Sequence, residues 1–131
     1  MIDFEVKIFN KVHSAVSSLC AKNGFVSKQI VKATAFPAAS LIEMDNATVR
    51  KRQSSTPREN FALVTYQLDV YAMKTSDCKA VFAAADDMML KLNFSRMSGR
   101  YIDNPGNPDV FRYTARYEAE IDKYGNIYRR D

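Results

Sequence analysis

The chain has 131 residues, 47% of them hydrophobic, and a formal net charge of +4. This composition excludes a disordered chain, and the length suits one domain with a substantial core. No apolar run approaches the roughly 18 residues that a membrane-spanning helix requires. The N-terminus, MIDFEVKIFNKV, is charged throughout and lacks the apolar centre of an export signal. We therefore expect a single domain over residues 1–131, soluble and made in the cytoplasm.

The first predicted element is a helix. Asp3 is a suitable N-cap, and apolar residues recur at helical spacing as far as Leu19. Gly24 then provides a stop, because glycine takes the left-handed conformation without a side-chain clash. The pattern predicts a helix over about residues 3–22.

A weakly patterned stretch separates this helix from the next element. Residues 25–34 fit either a short turn of helix or an extended connector. Pro37 fixes its own φ and pushes Phe36 towards the extended region. Residues 38–44 then alternate, which predicts a strand.

A polar arm over about residues 45–60 follows, and long loops inside compact domains tend to be functional or mobile. It carries most of the net positive charge of the chain. Its basic residues are Arg50, Lys51, Arg52 and Arg58. Two interpretations stay open: a solvated loop with no partner, or an arm that orders on a neighbouring surface.

The centre of the chain is a long strand that leads directly into a helix. From Phe61 to Met73 apolar residues alternate with polar ones, the mark of a strand with one buried face. Thr75-Ser76-Asp77 supplies candidate caps, and helical spacing begins beyond it. The predicted apolar stripe contains Val81, Ala84 or Ala85, Met88 and Leu92, with Cys78 and Phe82 beside it.

Two further strands complete the predicted sheet. Residues 95–102 fit a strand in which Gly99 indicates a bulge or a close backbone approach. Residues 111–122 alternate most clearly, with an apolar face and a charged face. The acidic residues of that charged face are Glu118, Glu120 and Asp122, and Arg112 and Arg116 share it. Residues 124–131 fit a small hairpin or a loose tail, and we assign them as a flexible tail.

Together these elements predict an α+β fold. We expect a two-layer sandwich, with a mainly antiparallel sheet of about four strands and two helices packed on one face. Cys20 and Cys78 each lie on the apolar side of a predicted helix, which indicates small buried hydrophobic residues rather than a disulfide.

No catalytic constellation is visible. His13, the only histidine, has no local nucleophile or carboxylate partner. Asp86 and Asp87 are adjacent on a helix and point in different directions, so we interpret them as a solvated face. The 103–109 loop offers oxygen ligands but lacks the calcium-loop spacing and its closing Glu. We expect no enzyme activity, no cofactor and no metal site.

Nucleic-acid recognition is weakly indicated. The basic residues of the 45–60 arm have no interleaved aromatic, although base-reading proteins usually add aromatics or a recognition helix. Tyr113 and Tyr117 lie on the predicted core face of their strand, where they cannot stack on bases. We therefore expect no sequence-specific binding to nucleic acid, no membrane partner and no small-molecule substrate.

The order of elements resembles the tail-terminator, or tail-completion, proteins of long-tailed bacteriophages. The resemblance covers the first helix, the strand entered through FPAASLIEMD, the polar arm and the final strand FRYTARYEAEID. It is closest over YQLDVYAMKTSDCKAVFAAADDMM, where a strand with "DVY" near its end runs into a capped helix.

The resemblance implies a structural virion protein of the tail or neck, assembled in the host cytoplasm. Such proteins form rings, commonly hexameric, that cap the head-proximal end of the tail tube and stop its growth. Their partners are other copies of the same chain, the major tail tube protein and the head–tail connector protein. The alternatives are another connector or neck component, or a small nucleic-acid-binding or regulatory domain.

A closed ring needs one face of a protomer to fit a different face of the next. From charge, we predict that the four basic arm residues contact the acidic strand face of a neighbouring copy, formed by Glu118, Glu120 and Asp122.

Overall fold

The computed structural model describes residues 1–30, 35–49, 61–103 and 109–129. Two helices and six strands form an α+β fold, as the sequence predicts. In chain order they are α1 (Glu5–Val16), β1 (Phe25–Val26), β2 (Ala38–Thr48), β3 (Phe61–Ala72), α2 (Thr75–Lys91), β4 (Ser95–Ile102), β5 (Phe111–Asp122) and β6 (Ile127–Arg129).

The sheet is mixed and has six strands rather than about four. Its order is β1-β2-β3-β5-β4, and β6 pairs with β5. Every pairing is antiparallel except that of β1 with β2. The two additional strands, β1 and β6, contain two and three residues, which is too short for an alternating pattern to reveal them.

Both helices pack on one face of the sheet, which confirms the predicted two layers. The central strand β3 buries Val64, Tyr66 and Leu68 towards the helices. On α1 the buried residues are Ile8, Val12 and Val16. On α2 they are Cys78, Val81, Ala85, Asp86 and Met89. The buried face of α2 is therefore rotated slightly from the predicted apolar stripe. Met89 is fully buried, whereas Met88 is partly buried and packs against the core.

The ends of several elements differ from prediction. Helix α1 ends at Val16 rather than near residue 22, because the N–H groups of Leu19 and Cys20 both bond to the Val16 carbonyl at 2.9 and 3.2 Å and turn the chain. Helix α1 also begins after Phe4, although the Asp3 carboxylate still accepts the Glu5 N–H at 3.2 Å.

The predicted arm and tail are partly strand. Strand β2 continues to Thr48, so the first residues of the 45–60 arm belong to the sheet, and residues 50–60 lie outside the described part of the chain. Ile127–Arg129 forms β6, which pairs with β5. The flexible-tail assignment is therefore wrong for these residues, and the hairpin alternative is correct.

A bulge in β2 changes which side chains share a face. Glu43 lies opposite Tyr66 of β3, and the register then shifts so that Asn46 lies opposite Val64. Tyr66 and Val64 both face the helices, so Glu43 and Asn46 do too, although residues three apart normally lie on opposite faces of a strand.

The described helices include none with the length and apolar character needed to cross a bilayer. Both cysteines are free thiols: Cys78 is buried in the core and Cys20 is half-buried. Burial raises the pKa of both thiols, in agreement with their predicted role as small apolar residues.

Candidate interaction surfaces

The sheet face opposite the helices is a mixed polar surface. Asp69 of β3 is only 4% exposed there, and its carboxylate accepts bonds from Arg112 of β5 and from Gln67. The Arg112 Nη2 to Asp69 Oδ1 distance is 3.1 Å. This cross-strand pair, together with the half-buried Glu118 and Glu120 further along β5, matches the predicted charged outer face.

Asp122, the third acid of the predicted interface, is occupied within its own chain. Its carboxylate accepts the backbone N–H groups of Tyr124 and Asn126, both at 2.9 Å. It also accepts the Asn126 side-chain amide at 3.0 Å and the Tyr128 hydroxyl at 3.1 Å. Burial alone would raise the pKa of Asp122, but these hydrogen bonds lower it. Asp122 therefore closes the β5–β6 turn.

The other two acids of the predicted strand face are Glu118 and Glu120. They lie on the open face of β5, opposite Thr65 and Leu63 of β3. Their proposed partners, Arg50, Lys51, Arg52 and Arg58, all lie outside the described residues. The charge pairing between copies stays a prediction.

One end of the sheet presents partly exposed aromatic rings. Tyr101 is 42% and Phe111 41% exposed, and the Tyr101 ring packs against Tyr113 at 4.9 Å between centroids. The Tyr113 hydroxyl lies over Gly99, where an added Cβ would come within 2.8 Å of it. This is the close approach that a glycine within a strand indicated. Exposed aromatics at the end of a sheet are typical protein-contact residues.

Strand β4 is the last strand of the sheet. Its side chains from Arg96 to Tyr101 are exposed, and a register shift between Arg96 and Ser98 marks a bulge. Because no described strand lies beyond it, β4 offers an edge to which a further strand can pair.

A buried carboxylate joins α2 to the sheet. Asp86 is 8% exposed, so the expectation that it belongs to a solvated face is wrong. It accepts the Tyr117 hydroxyl at 2.6 Å and Arg96 Nη1 at 2.9 Å. The Asp86 carboxylate in turn raises the pKa of the Arg96 guanidinium. Pairing explains how a carboxylate is tolerated beneath a helix.

A second acidic cluster lies where the N-terminal segment meets β2. Carboxylate oxygens of Asp3, Glu5 and Glu43 lie within 4.8 Å of one another. Burial raises the pKa of Glu43, and the negative charges of Glu5 and Asp3 raise it further. This is the one group among the described residues whose ligand atoms are spaced to hold a metal ion. Sequence analysis missed it because residues 3, 5 and 43 show no local ligand spacing.

His13 is exposed on α1, where its ring lies 5.8 Å from that of Phe9 and 5.9 Å from that of Phe25. These are packing contacts with aromatic side chains.

Comparison with known proteins yields a structural likeness and no match by sequence. No family model matches the chain, and no curated protein matches it. Among solved structures, the fold is similar to a chain of the virion of a native gene transfer agent particle, with a TM-score of 0.62 and 13% sequence identity. The similarity covers 92% of this chain and 99% of that chain. At this identity the likeness shows a shared fold.

Proposed function

We propose that this protein is a structural virion component: a tail terminator that forms a ring at the head-proximal end of a phage tail tube. The observation that carries the proposal is the shared fold with a virion chain, which is matched over 99% of its length. The order of elements that resembles tail terminators supports the same assignment.

The surfaces of the subunit suit a ring built by a heterologous contact. Such a ring joins two different surfaces of neighbouring copies. The subunit has two dissimilar sides, since one edge of the sheet is β4 and the other is the short parallel pair β1–β2. The aromatic end near Tyr101 and the polar open face supply further contact area.

In this role the ring ends tube growth by covering the subunits of the last tube layer, and its opposite surface receives the head-side connector. We propose no catalytic step, no cofactor and no membrane contact for this function. The partners are other copies of the chain, the tail tube protein and the connector protein.

The first test is the mass of the purified protein in solution, by light scattering across a concentration series. A closed ring, with six copies expected, supports the proposal.

A second measurement adds the protein to polymerising tail tube protein and compares tube lengths by electron microscopy. Shorter tubes with the protein at one end support a terminator, and unchanged tubes with no bound protein contradict it.

Charge exchange tests the predicted contact between copies. Arg52→Glu should weaken ring formation, and combining it with Glu118→Arg should restore assembly, because the two signs are exchanged together. Lys79→Glu, on the exposed side of α2, is the matched control and should assemble normally. Normal assembly of Arg52→Glu together with its neighbours Arg50→Glu and Lys51→Glu would rule out this contact.

A different connector or neck component is the second candidate, because the shared virion fold is equally compatible with it. Parallel pull-downs with tail tube protein and with connector protein separate the two roles. A terminator binds both proteins, whereas a neck component binds the connector and leaves the tube unbound.

A further inference from the structure

The acidic cluster near the N-terminus joins two distant parts of the chain. Asp3 and Glu5 begin α1, whereas Glu43 comes from β2. Their carboxylate oxygens lie within 4.8 Å of one another, with Asp3 exposed and the other two half-buried. No ion pair between described residues includes any of the three. Within the described ranges, the cluster therefore concentrates negative charge without an ion pair to a positive side chain.

Two buried oxygen atoms without partners lie on the same side of the sheet as this cluster. Tyr66 is 1% exposed, and its hydroxyl lies beside the Glu43 carboxylate without forming a hydrogen bond of normal geometry to any described residue. The Asn46 Oδ1 atom is also buried and without a partner among these residues. The Asn46 amide nitrogen donates to the Ile2 carbonyl at 2.7 Å, which ties the N-terminal segment to β2.

The Tyr66 hydroxyl faces the carboxylates. Glu43 lies directly opposite Tyr66 in the β2–β3 register and on the same face. Burial raises the pKa of Tyr66, and the charges of Glu43, Glu5 and Asp3 raise it further. The β2 bulge adds Asn46 to this face. The oxygens thus converge from α1, β2 and β3.

An arrangement of this kind is unfavourable when nothing is bound. Carboxylates this close repel one another, and a buried polar atom without a hydrogen-bond partner destabilises the fold. A positive ion at the centre relieves both costs, because it neutralises the charge and accepts lone pairs from each oxygen. All five groups offer oxygen, which hard divalent cations prefer.

We propose that this cluster is a binding site for a hard divalent cation. Its ligands are the carboxylates of Asp3, Glu5 and Glu43, the Asn46 side-chain carbonyl and the Tyr66 hydroxyl, with water completing the shell. The ion links the start of α1 to β2 at its bulge. This site is independent of the proposed virion role.

Terbium luminescence tests the site directly. Tb³⁺ resembles Ca²⁺ in size and ligand preference, and it emits when a nearby aromatic ring transfers energy to it. The chain contains no tryptophan, so the emission depends on a tyrosine beside the ion. Chelator-treated protein titrated with Tb³⁺ should show saturable emission at one ion per chain, and Ca²⁺ should displace it.

Three variants locate the site. Glu43→Gln removes one ligand charge and should weaken Tb³⁺ and Ca²⁺ binding at least about tenfold, because ligand charge sets affinity in such sites. Tyr66→Phe should remove most of the sensitised emission. Asp87→Asn removes a single carboxylate from the exposed side of α2 and should bind like the unaltered protein.

The outcomes that overturn the proposal are equally specific. Absence of saturable emission in the unaltered protein excludes the site. Emission that is unchanged in both Glu43→Gln and Tyr66→Phe places the ion elsewhere and also overturns it. Circular dichroism of each variant confirms that the fold is intact before binding is compared.

Discussion

Two core tyrosines lie side by side in the sheet, and each faces a carboxylate, but only one pair is complete. Tyr66 of β3 and Tyr117 of β5 are direct partners in the register, and both are fully buried. Tyr117 donates to Asp86, and Arg96 supplies the balancing positive charge at 2.9 Å. Tyr66 faces Glu43, where the neighbouring charges are negative.

The two sites differ in whether a positive charge balances the carboxylate. At Asp86, hydroxyl, carboxylate and guanidinium satisfy one another, so the cluster holds α2 on the sheet without any ligand. At Glu43 the same tyrosine–carboxylate motif has two further acids in place of the arginine. A bound cation would take the place that Arg96 takes in the first cluster.

The largest expected effect comes from breaking the complete cluster. Asp86→Ala leaves the buried Tyr117 hydroxyl and the Arg96 guanidinium without their acceptor. We expect the free energy of unfolding to fall by about 3 kcal/mol, towards the lower end for a broken buried pair because Arg96 is partly solvated. Urea denaturation measures the loss. Asp87→Ala is the control and should change stability by less than about 0.5 kcal/mol.

A third carboxylate, Asp122, sharpens the comparison because it is satisfied by neutral donors alone. Its pKa is lowered, so its contribution to stability is present above the ordinary carboxyl pKa of about 4 and is lost as the pH falls below it. Asp122→Asn should cost about 1–2 kcal/mol at pH 7, because the negative charge is lost and the amide nitrogen that replaces one oxygen leaves two of the four donors without an acceptor.

Urea denaturation of the Asp122→Asn variant at pH 7 and near pH 3 tests this dependence. The difference between variant and unaltered protein should shrink at the lower pH. A cost of equal size at both pH values would show that the ionised carboxylate is not what stabilises the turn.

The smallest change in stability is expected at the cluster of Asp3, Glu5 and Glu43. Its sign should depend on whether a metal ion is bound. In chelator, Glu43→Gln removes repulsion from Glu5 and Asp3, so stability should rise by about 0.5 kcal/mol, a modest value because the group is partly solvated. With millimolar Ca²⁺ the unaltered protein gains binding free energy that the variant lacks, and the order should reverse. Thermal melts in both buffers measure this. If Glu43→Gln lowered stability in the presence of a chelator, carboxylate repulsion at this cluster would be contradicted.

The sequence predicts the elements whose pattern is local and long. The alternation of residues 61–72 and 111–122 identifies β3 and β5, and the spacing beyond Thr75 identifies α2. It does not identify β1, and it offers β6 only as part of an alternative hairpin, because a strand of two or three residues has no period to detect. The outward assignment of Asp86 fails because its partner Tyr117 is 31 positions away in the chain.

The acidic cluster is hidden from the sequence for a related reason. Asp3 and Glu5 meet Glu43 only after α1 has packed on the sheet, and Asn46 joins them only because β2 is bulged. No pattern in the chain encodes the extra residue of that bulge. The acids of the predicted arm-to-strand contact were identified from charge alone. Charge does not reveal that Asp122 accepts hydrogen bonds within its own turn.

The edge formed by β4 also governs which assemblies the subunit avoids. A sheet that ends in an open strand invites open-ended growth into fibres, and natural edges resist this with charge and bulges. Here Arg100 and the irregular register after Arg96 supply both devices. A straight, uncharged strand from another chain fits this edge poorly, whereas a partner with its own carboxylates and a matching bend fits well. The charge and the bulge of this edge therefore act against fibrous edge-to-edge aggregation.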